Sequence, residues 1–465
     1  MLFNDLNFIY YLLPTLVLFY LINRTQRIGL KNSFLLAVSY LFYGLFESKF
    51  LFVLMYITLI NYITIILLGK SNNSNKRKCL IISNIILSLI PLVFFKYTYF
   101  ILNDVLGMQG EILGKIALPV GISFYTFQAL SYTIDIYRGK EKELPTLLNF
   151  ALYTSFFPTV LSGPIERART LMPQIKNLQR WNFSRFINGI QLFCWGLVQK
   201  IVVADRISEY VGYVYEHPSM YGTTTIILAA SLYSIQIYCD FAGYSNMAIG
   251  VGRMLGFDIR KNFDFPYFTT SIRSFWKKWH ISLTSWFTEY LYISLGGNRV
   301  KEYRWVINIL IVFLVSGIWH GSAWTFIICG LIHGIYQIIE HYTINKKEIK
   351  NHFIRFTQGC LLFIVVTIAW TFFRANNIDH AITILSSLKN IEIPLFTMFA
   401  TQWMLMWGVL FVFIISELLL YKRYIKIIEQ GDNPFLWNNL IFWISCVSMM
   451  TLLGKSGASF VYFQF

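Results

Sequence analysis

The stretch Asp264–Gly334 decides the reading of this chain. It holds FWKKWHISLTSWFTEYLYISLGGNR (275–299), an apolar span, SGIWHG (316–321) and a second apolar span ending in LIHG (331–334). Trp276, Trp279, Trp286, Tyr290 and Tyr292 alternate with Arg273, Lys277 and Lys278, a mixture that settles at a lipid headgroup boundary. This first part is too charged and too aromatic to cross a bilayer and predicts an interfacial segment. Val306–Ser316 then enters the apolar phase, and His320 arrives where that run ends. A histidine at or below a membrane surface, among tryptophans and far from any acidic cluster, is a candidate for proton-transfer chemistry. Residues 264–334 are therefore the expected catalytic core, and the remainder its housing.

Outward from this stretch, composition sets the class. The 465 residues are 56% hydrophobic and only 13% charged, whereas a soluble domain is nearer one quarter charged. Apolar runs of spanning length recur throughout, which predicts an all-α, polytopic membrane protein with no separate soluble domain. The formal net charge of +16 fits Lys and Arg that hold loops on the cytoplasmic face and contact anionic membrane lipid. It does not fit a nucleic-acid partner, since no basic face is large enough to lie along a duplex. The six cysteines stand singly, without CxxC or Cys/His ligand spacing, so neither structural disulfides nor a metal site is expected. Leu6–Ile22 has no charged region before it and no small-residue cleavage site after it, and reads as a first membrane helix.

Taken in order, the expected spans include Leu6–Ile22, Asn32–Phe46, Leu51–Leu68 and Cys79–Phe95, with the basic loop Lys70–Lys78 between the last two. Leu118–Tyr137 is long enough to span but carries Ser123, Thr126, Gln128 and Asp135, so it borders a cavity or packs inside the bundle. Phe150–Leu161 leads through Pro158, Gly163 and Pro164 toward Glu166, Arg167 and Arg169, the pattern of a broken or re-entrant helix. The charged trio sits just beyond that piece, and its plain reading is a surface salt-bridge cluster. Phe186–Val203 and Thr225–Tyr238 follow, and Asp240 sits between apolar runs where it needs an Arg or Lys partner or a functional role. Trp305–Gly317, Ala323–Ile339, Phe353–Phe373, Met398–Leu420 and Phe435–Leu453 complete about eleven spans plus re-entrant and interfacial pieces. Basic clusters at Arg24–Lys31, Lys70–Lys78, Arg138–Lys142, Lys346–Lys350 and Lys422–Lys426 mark the cytoplasmic side. Counting from Lys346 in both directions puts His320 and the C-terminus together on the outer face.

His320 is the leading candidate for chemistry. Trp319 and Trp324 can wall it from solvent, while Gly317 and Gly321 can let the backbone bend and a substrate approach. His280, in WHIS, can share a cavity with it. His333 is expected to make a helix–helix hydrogen bond. No Ser-His-Asp order, nucleophile elbow, Walker loop or Rossmann glycine pattern is present.

DFAGYSNMAIGVGRMLGF (240–257), NFDFPYFTTSIRSFWKKWHISLTSWFTEYLYISLGGNR (262–299) and SGIWHGSAWTFIICGLIHG (316–334) together resemble the membrane-bound O-acyltransferase (MBOAT) family. They are most similar to its bacterial branch of alginate and peptidoglycan O-acetyltransferases. LPVGISFYTFQALSYTIDIYRG (118–139), LSGPIER (161–167) and FFRANN (372–377) extend the resemblance over nearly the whole chain, 1–465 as one membrane domain. LGGNR favours this branch over relatives that move D-alanine onto teichoic acid.

The resemblance implies a helical shell around a thin centre, where cavities from both faces meet in a central tunnel near the histidines. His320 matches the family's essential histidine and His280 its second, supporting polar position. FVYFQF (460–465) resembles a C-terminal FxYxxF motif associated with acyl relay, with Tyr462 as the relay phenol. The same six residues read without the family are an aromatic anchor. The implied reaction takes acetyl from a cytoplasmic thioester, acetyl-CoA or another, across a bacterial inner membrane. A periplasmic SGNH-type transferase then places it on a glycan, with no bound cofactor and the C-terminus periplasmic. Abundant Ile, Asn and Lys suggest an AT-rich genome and favour peptidoglycan over alginate or another exopolysaccharide. A transporter would show paired half-sequence repeats, which are absent, and a structural scaffold would not account for WHIS and WHG.

Overall fold

Leucine, isoleucine, valine and phenylalanine in runs of eighteen residues and more have one stable solution in lipid, a helix that satisfies its own backbone. Every regular element among the described residues is a helix in the computed structural model, which describes residues 3–108, 117–343, 351–430 and 437–454. Eight helical runs among them are long and apolar enough to cross a membrane. One of these, Ile28–Lys70, contains both Asn32–Phe46 and Leu51–Leu68, two of the expected spans. The chain divides into two units, Met1–Phe193 with Ser245–Lys261, and Cys194–Tyr244 with Asn262–Phe465.

In the first unit the chain runs through α1 (Leu6–Asn23), α2 (Ile28–Glu47), α3 (Leu51–Lys70), α4 (Ser74–Tyr99), α5 (Ile122–Tyr137), α6 (Leu147–Ser155), α7 (Ala168–Lys176) and the start of α8 (Phe183–Leu197). The Arg77 guanidinium donates to the Leu68 and Ser71 carbonyls and to those of Ile136 and Tyr137. One cation thus caps the C-terminal ends of α3 and α5, where the helix dipoles favour it. α5 is buried along nearly its whole length, so its polar residues pack inside the unit rather than facing open water. The Thr133 hydroxyl donates to Asn61 Oδ1 (2.8 Å) and Asn61 Nδ2 donates to Ser88 Oγ (3.0 Å), which joins α5, α3 and α4 by side-chain bonds.

After α6 the helix stops, and residues 156–167 are irregular and buried throughout. Such backbone survives at depth only with partners. The Ser39 hydroxyl accepts from the Phe157 amide (3.1 Å), and Gln128 Oε1 accepts from the Glu166 amide (3.1 Å). Gly121, at φ 78°, lets this segment approach, because a Cβ there would lie 2.4 Å from the Val160 carbonyl. The expected break in the helix is present, and the segment beyond it is buried against protein.

The second unit takes over within α8 and passes through a π-helical stretch, Val198–Ala204, into α9 (Asp205–Glu216) and α10 (Thr223–Met254), whose end belongs to the first unit. Short α11 (Ile272–Lys278) and α12 (Ile281–Trp286) lead to the hairpin of α13 (Glu302–His320) and α14 (Trp324–Thr343). Then follow α15 (His352–Arg374), α16 (Ile378–Ser386), α17 (Ala400–Gln430) and α18 (Trp437–Leu453). The aromatic band of the opening stretch is corrected here. Trp279, Trp286 and Tyr290 are buried, and Trp279 lies 5.4 Å from Phe275 and 5.0 Å from Trp370. These rings pack on other rings rather than on headgroups. Arg273 and Lys277 alone keep the exposure expected of that band.

Candidate active site

The site begins where α11 ends. Trp279 leaves the helix in an extended conformation, and His280 follows at φ 43°, ψ 53°, left-handed and not a glycine. Such a residue costs on the order of 1–3 kcal/mol and persists only where its surroundings hold it. Asn262 does so. Its backbone carbonyl accepts the Ile281 amide (2.8 Å), and its Oδ1 accepts the Ser282 amide (3.2 Å) and hydroxyl (2.9 Å). These bonds satisfy amides in the first turn of α12 that have no partner within the helix. Oδ1 also lies 3.1 Å from His280 Nδ1. The WHIS histidine is 1% exposed, so it is a core residue and not an interfacial one. Burial, and after it the charge of neighbouring His320, hold its imidazole well below the usual histidine range.

His320 is the last residue of α13, with extended Gly321 after it. Its ring stands 5.1 Å from Trp319 and 5.4 Å from Phe373, both edge-on, and Trp319 stands 6.0 Å from His280. One tryptophan thus lies against both histidines. Phe241, next to Asp240 on α10, packs edge-on at 4.6 Å from the His280 ring. The two histidines expected to meet are brought together, His280 buried and His320 partly exposed.

The glycines do something other than make room. A Cβ on Gly317 would lie 2.4 Å from the Phe326 carbonyl, and one on Gly321 would lie 2.1 Å from the Phe326 ring. On the facing helix a Cβ on Gly330 would lie 2.3 Å from the Phe313 carbonyl. Both helices of the hairpin use small residues for close backbone approach, which fixes the end of α13 and hence His320. Trp319 is buried as expected of a wall, but Trp324 is exposed.

His333 is 1% exposed among Trp276 (4.9 Å), Trp370 (5.5 Å), Phe313 and Phe275. Neither ring nitrogen hydrogen-bonds to any described residue, which corrects the expected helix–helix bond. Asp240 has the cationic partner its burial requires. Lys200 Nζ lies 2.7 Å from Asp240 Oδ1 and 2.7 Å from Asp205 Oδ1, all three groups buried. In the first unit, Glu166 and Arg167 are buried and only Arg169 is exposed, so the trio is no surface cluster. Glu166 accepts from the Arg260 amide (2.7 Å) and the Thr170 hydroxyl (2.8 Å). Burial raises its carboxyl, and Arg260 is the largest opposing influence. Tyr462, with the tail 460–465, lies outside the described residues, as does the basic cluster Lys346–Lys350.

Asn262 is the site residue that sequence reasoning missed. It stands eighteen positions before His280, and its one signal is its place at the head of NFDFP, in the same motif block as WHIS.

The sequence profile of MBOAT, the membrane-bound O-acyltransferase family, matches residues 35–378. The chain is 36% identical over 392 residues to the "Probable alginate O-acetylase AlgI" of Pseudomonas aeruginosa, covering 82% of this chain and 73% of that one. It is 33% identical over 428 residues to the "Peptidoglycan O-acetyltransferase" of Helicobacter pylori, covering 84% and 80%. A "Teichoic acid D-alanyltransferase" of Bacillus subtilis is 30% identical over 249 residues, covering 49% and 60%.

Proposed function

The chain belongs to the membrane-bound O-acyltransferase family, and we propose that it carries acetyl groups from a cytoplasmic thioester to a glycan outside a bacterial inner membrane. The observation that carries this reading is the meeting of His280 and His320 across Trp319. His320 is the base. It takes the proton of an incoming hydroxyl, whose oxygen bonds to the thioester carbonyl carbon; the C–S bond breaks, and the thiolate takes up a proton. Aromatic packing around both rings keeps water from competing for the acetyl group.

The hydroxyl is that of Tyr462. A phenol, with a pKa near 10, needs a base to attack, and its ester is reactive enough to pass acetyl on. The acetylated tail presents its group to a periplasmic SGNH-type partner, which transfers it to the glycan. Charge counting supports a shared outer face for His320 and the tail. Among acceptors, the relatives named above divide between alginate and peptidoglycan, and the residue usage of this chain supports peptidoglycan. Mass analysis of muropeptides, from cells with and without the gene, is expected to show acetylated muramic acid only with it. Unchanged muropeptides beside a loss of acetyl from a secreted polysaccharide would move the acceptor to the alternative. Tyr462→Phe keeps the anchor and removes only the hydroxyl. It is expected to abolish acetylation, and a normal level would leave the tail as an anchor.

A further inference from the structure

We infer that Asn262 is a positioning residue that holds His280 in a single tautomer, with its proton on Nδ1 and a lone pair on Nε2. The reasoning starts from the identity of one atom. The Asn262 side-chain atom that meets the Ser282 amide (3.2 Å) must be the carbonyl oxygen, since an amide nitrogen there would set donor against donor. The Ser282 hydroxyl donates to the same oxygen at 2.9 Å. An oxygen so fixed can only accept, so His280 Nδ1, at 3.1 Å, is a donor. A neutral imidazole has one N–H. With that proton committed to Asn262, Nε2 can only accept.

Burial keeps His280 neutral, so this assignment describes its working state. The left-handed backbone at His280 has the same support, because the Asn262 carbonyl holds the Ile281 amide. One residue therefore sets both where the imidazole stands and which face of it is basic. On the proposed reading of the site, the Nε2 of His280 then receives a hydrogen bond from a protonated neighbour and donates none. Its partner is the His320 N–H or the attacking hydroxyl, and His280 orients that group.

Two measurements on the full chain in lipid vesicles test this. The first is nitrogen NMR of 15N-histidine-labelled protein, with the His280 signals identified by their loss in His280→Asn. It should show Nδ1 protonated and Nε2 bare, and a proton on Nε2 would overturn the assignment. This readout needs no turnover, so it stands even if the acyl-transfer reading fails. The second compares Asn262→Asp with Asn262→Leu in acetyl transfer from acetyl-CoA. Asp retains an acceptor oxygen and should keep the tautomer and most of the rate. Leu should mix the tautomers and lose roughly 10- to 100-fold, the scale seen when a metal-bound imidazole loses its orienting partner. Among the described contacts of His280 (Phe241, Trp319, His320 and Asn262), His320 is the ionisable side chain. A carboxylate at 262 would favour the imidazolium, so in Asn262→Asp the acid limb of the rate profile should move to higher pH. A wild-type rate in Asn262→Leu would remove the positioning role. So would equal inactivity of Asp and Leu variants that both melt like the wild type. If no form transfers acetyl while the NMR shows the expected tautomer, the acyl-transfer reading is what fails.

Discussion

Polar residues are buried in both units, but they are used differently. Around α5 in the first unit, Thr133, Asn61 and Ser88 bond to one another, and Gln128 bonds the irregular, buried backbone at Glu166. Each bond joins protein to protein, and the result is a scaffold. In the second unit His280 and His320 stand among Trp319, Phe241 and Phe373, and His280 is tied at Nδ1 to Asn262. There the imidazoles pack edge-on against aromatic rings, with Asn262 hydrogen-bonded to His280. On the proposed reading, polar atoms that bond among themselves build the fold, whereas the imidazoles set among aromatic rings serve the substrate.

That contrast can be broken or sharpened by substitution. Lys200→Met should have the largest effect on stability. It leaves Asp205 and Asp240 facing each other in a dry interior, and breaking a buried ion pair costs about 3–5 kcal/mol. Thermal melting in detergent should drop sharply, and an unchanged melt would mean the cluster holds nothing together. Asn61→Leu should cost less, about 1–3 kcal/mol, for the hydroxyls it abandons. The acetylation rate per folded molecule should stay near wild type. If that rate collapses in well-folded protein, the division between scaffold and site is wrong.

The smallest effect concerns acid. His280 stays neutral in the folded chain, while the unfolded chain protonates it near pH 6.5. The unfolded state then binds more protons at low pH, so this group subtracts stability as pH falls below about 6.5, by up to about 1.4 kcal/mol per unit. His280→Asn has no such proton to bind. Its melting temperature should fall less than that of wild type between pH 7.5 and 5.5, and an equal fall in both would exclude the buried neutral imidazole.

Much of this was legible in the sequence because lipid leaves the backbone few options. Polar residues on α5 narrowed it to a cavity wall or internal packing, and Pro158, Gly163 and Pro164 announced the break that the buried segment shows. WHG and WHIS were readable because histidine is scarce in such a chain. Less legible was what each side chain touches. Trp279 and Trp286 beside lysines carry the same pattern whether their neighbours are headgroups or other rings, and here they are rings. Gly317 and Gly321 of SGIWHG read as openness, yet Phe326 fills the space they leave. Asn262 gave no chemical signal of its own, because its role comes from a turn that brings it back to His280.

The central claim is that His320 is the base for acyl transfer. The most direct test is acetyl transfer by purified His320→Ala in vesicles supplied with labelled acetyl-CoA, beside a melting curve of the same sample. His320 is partly exposed at a helix end, so its loss should leave melting within about 1 kcal/mol of wild type. Transfer should fall by at least about 100-fold, as expected when a general base is removed. A His320→Ala protein that melts like wild type and still transfers acetyl at a comparable rate would contradict the account.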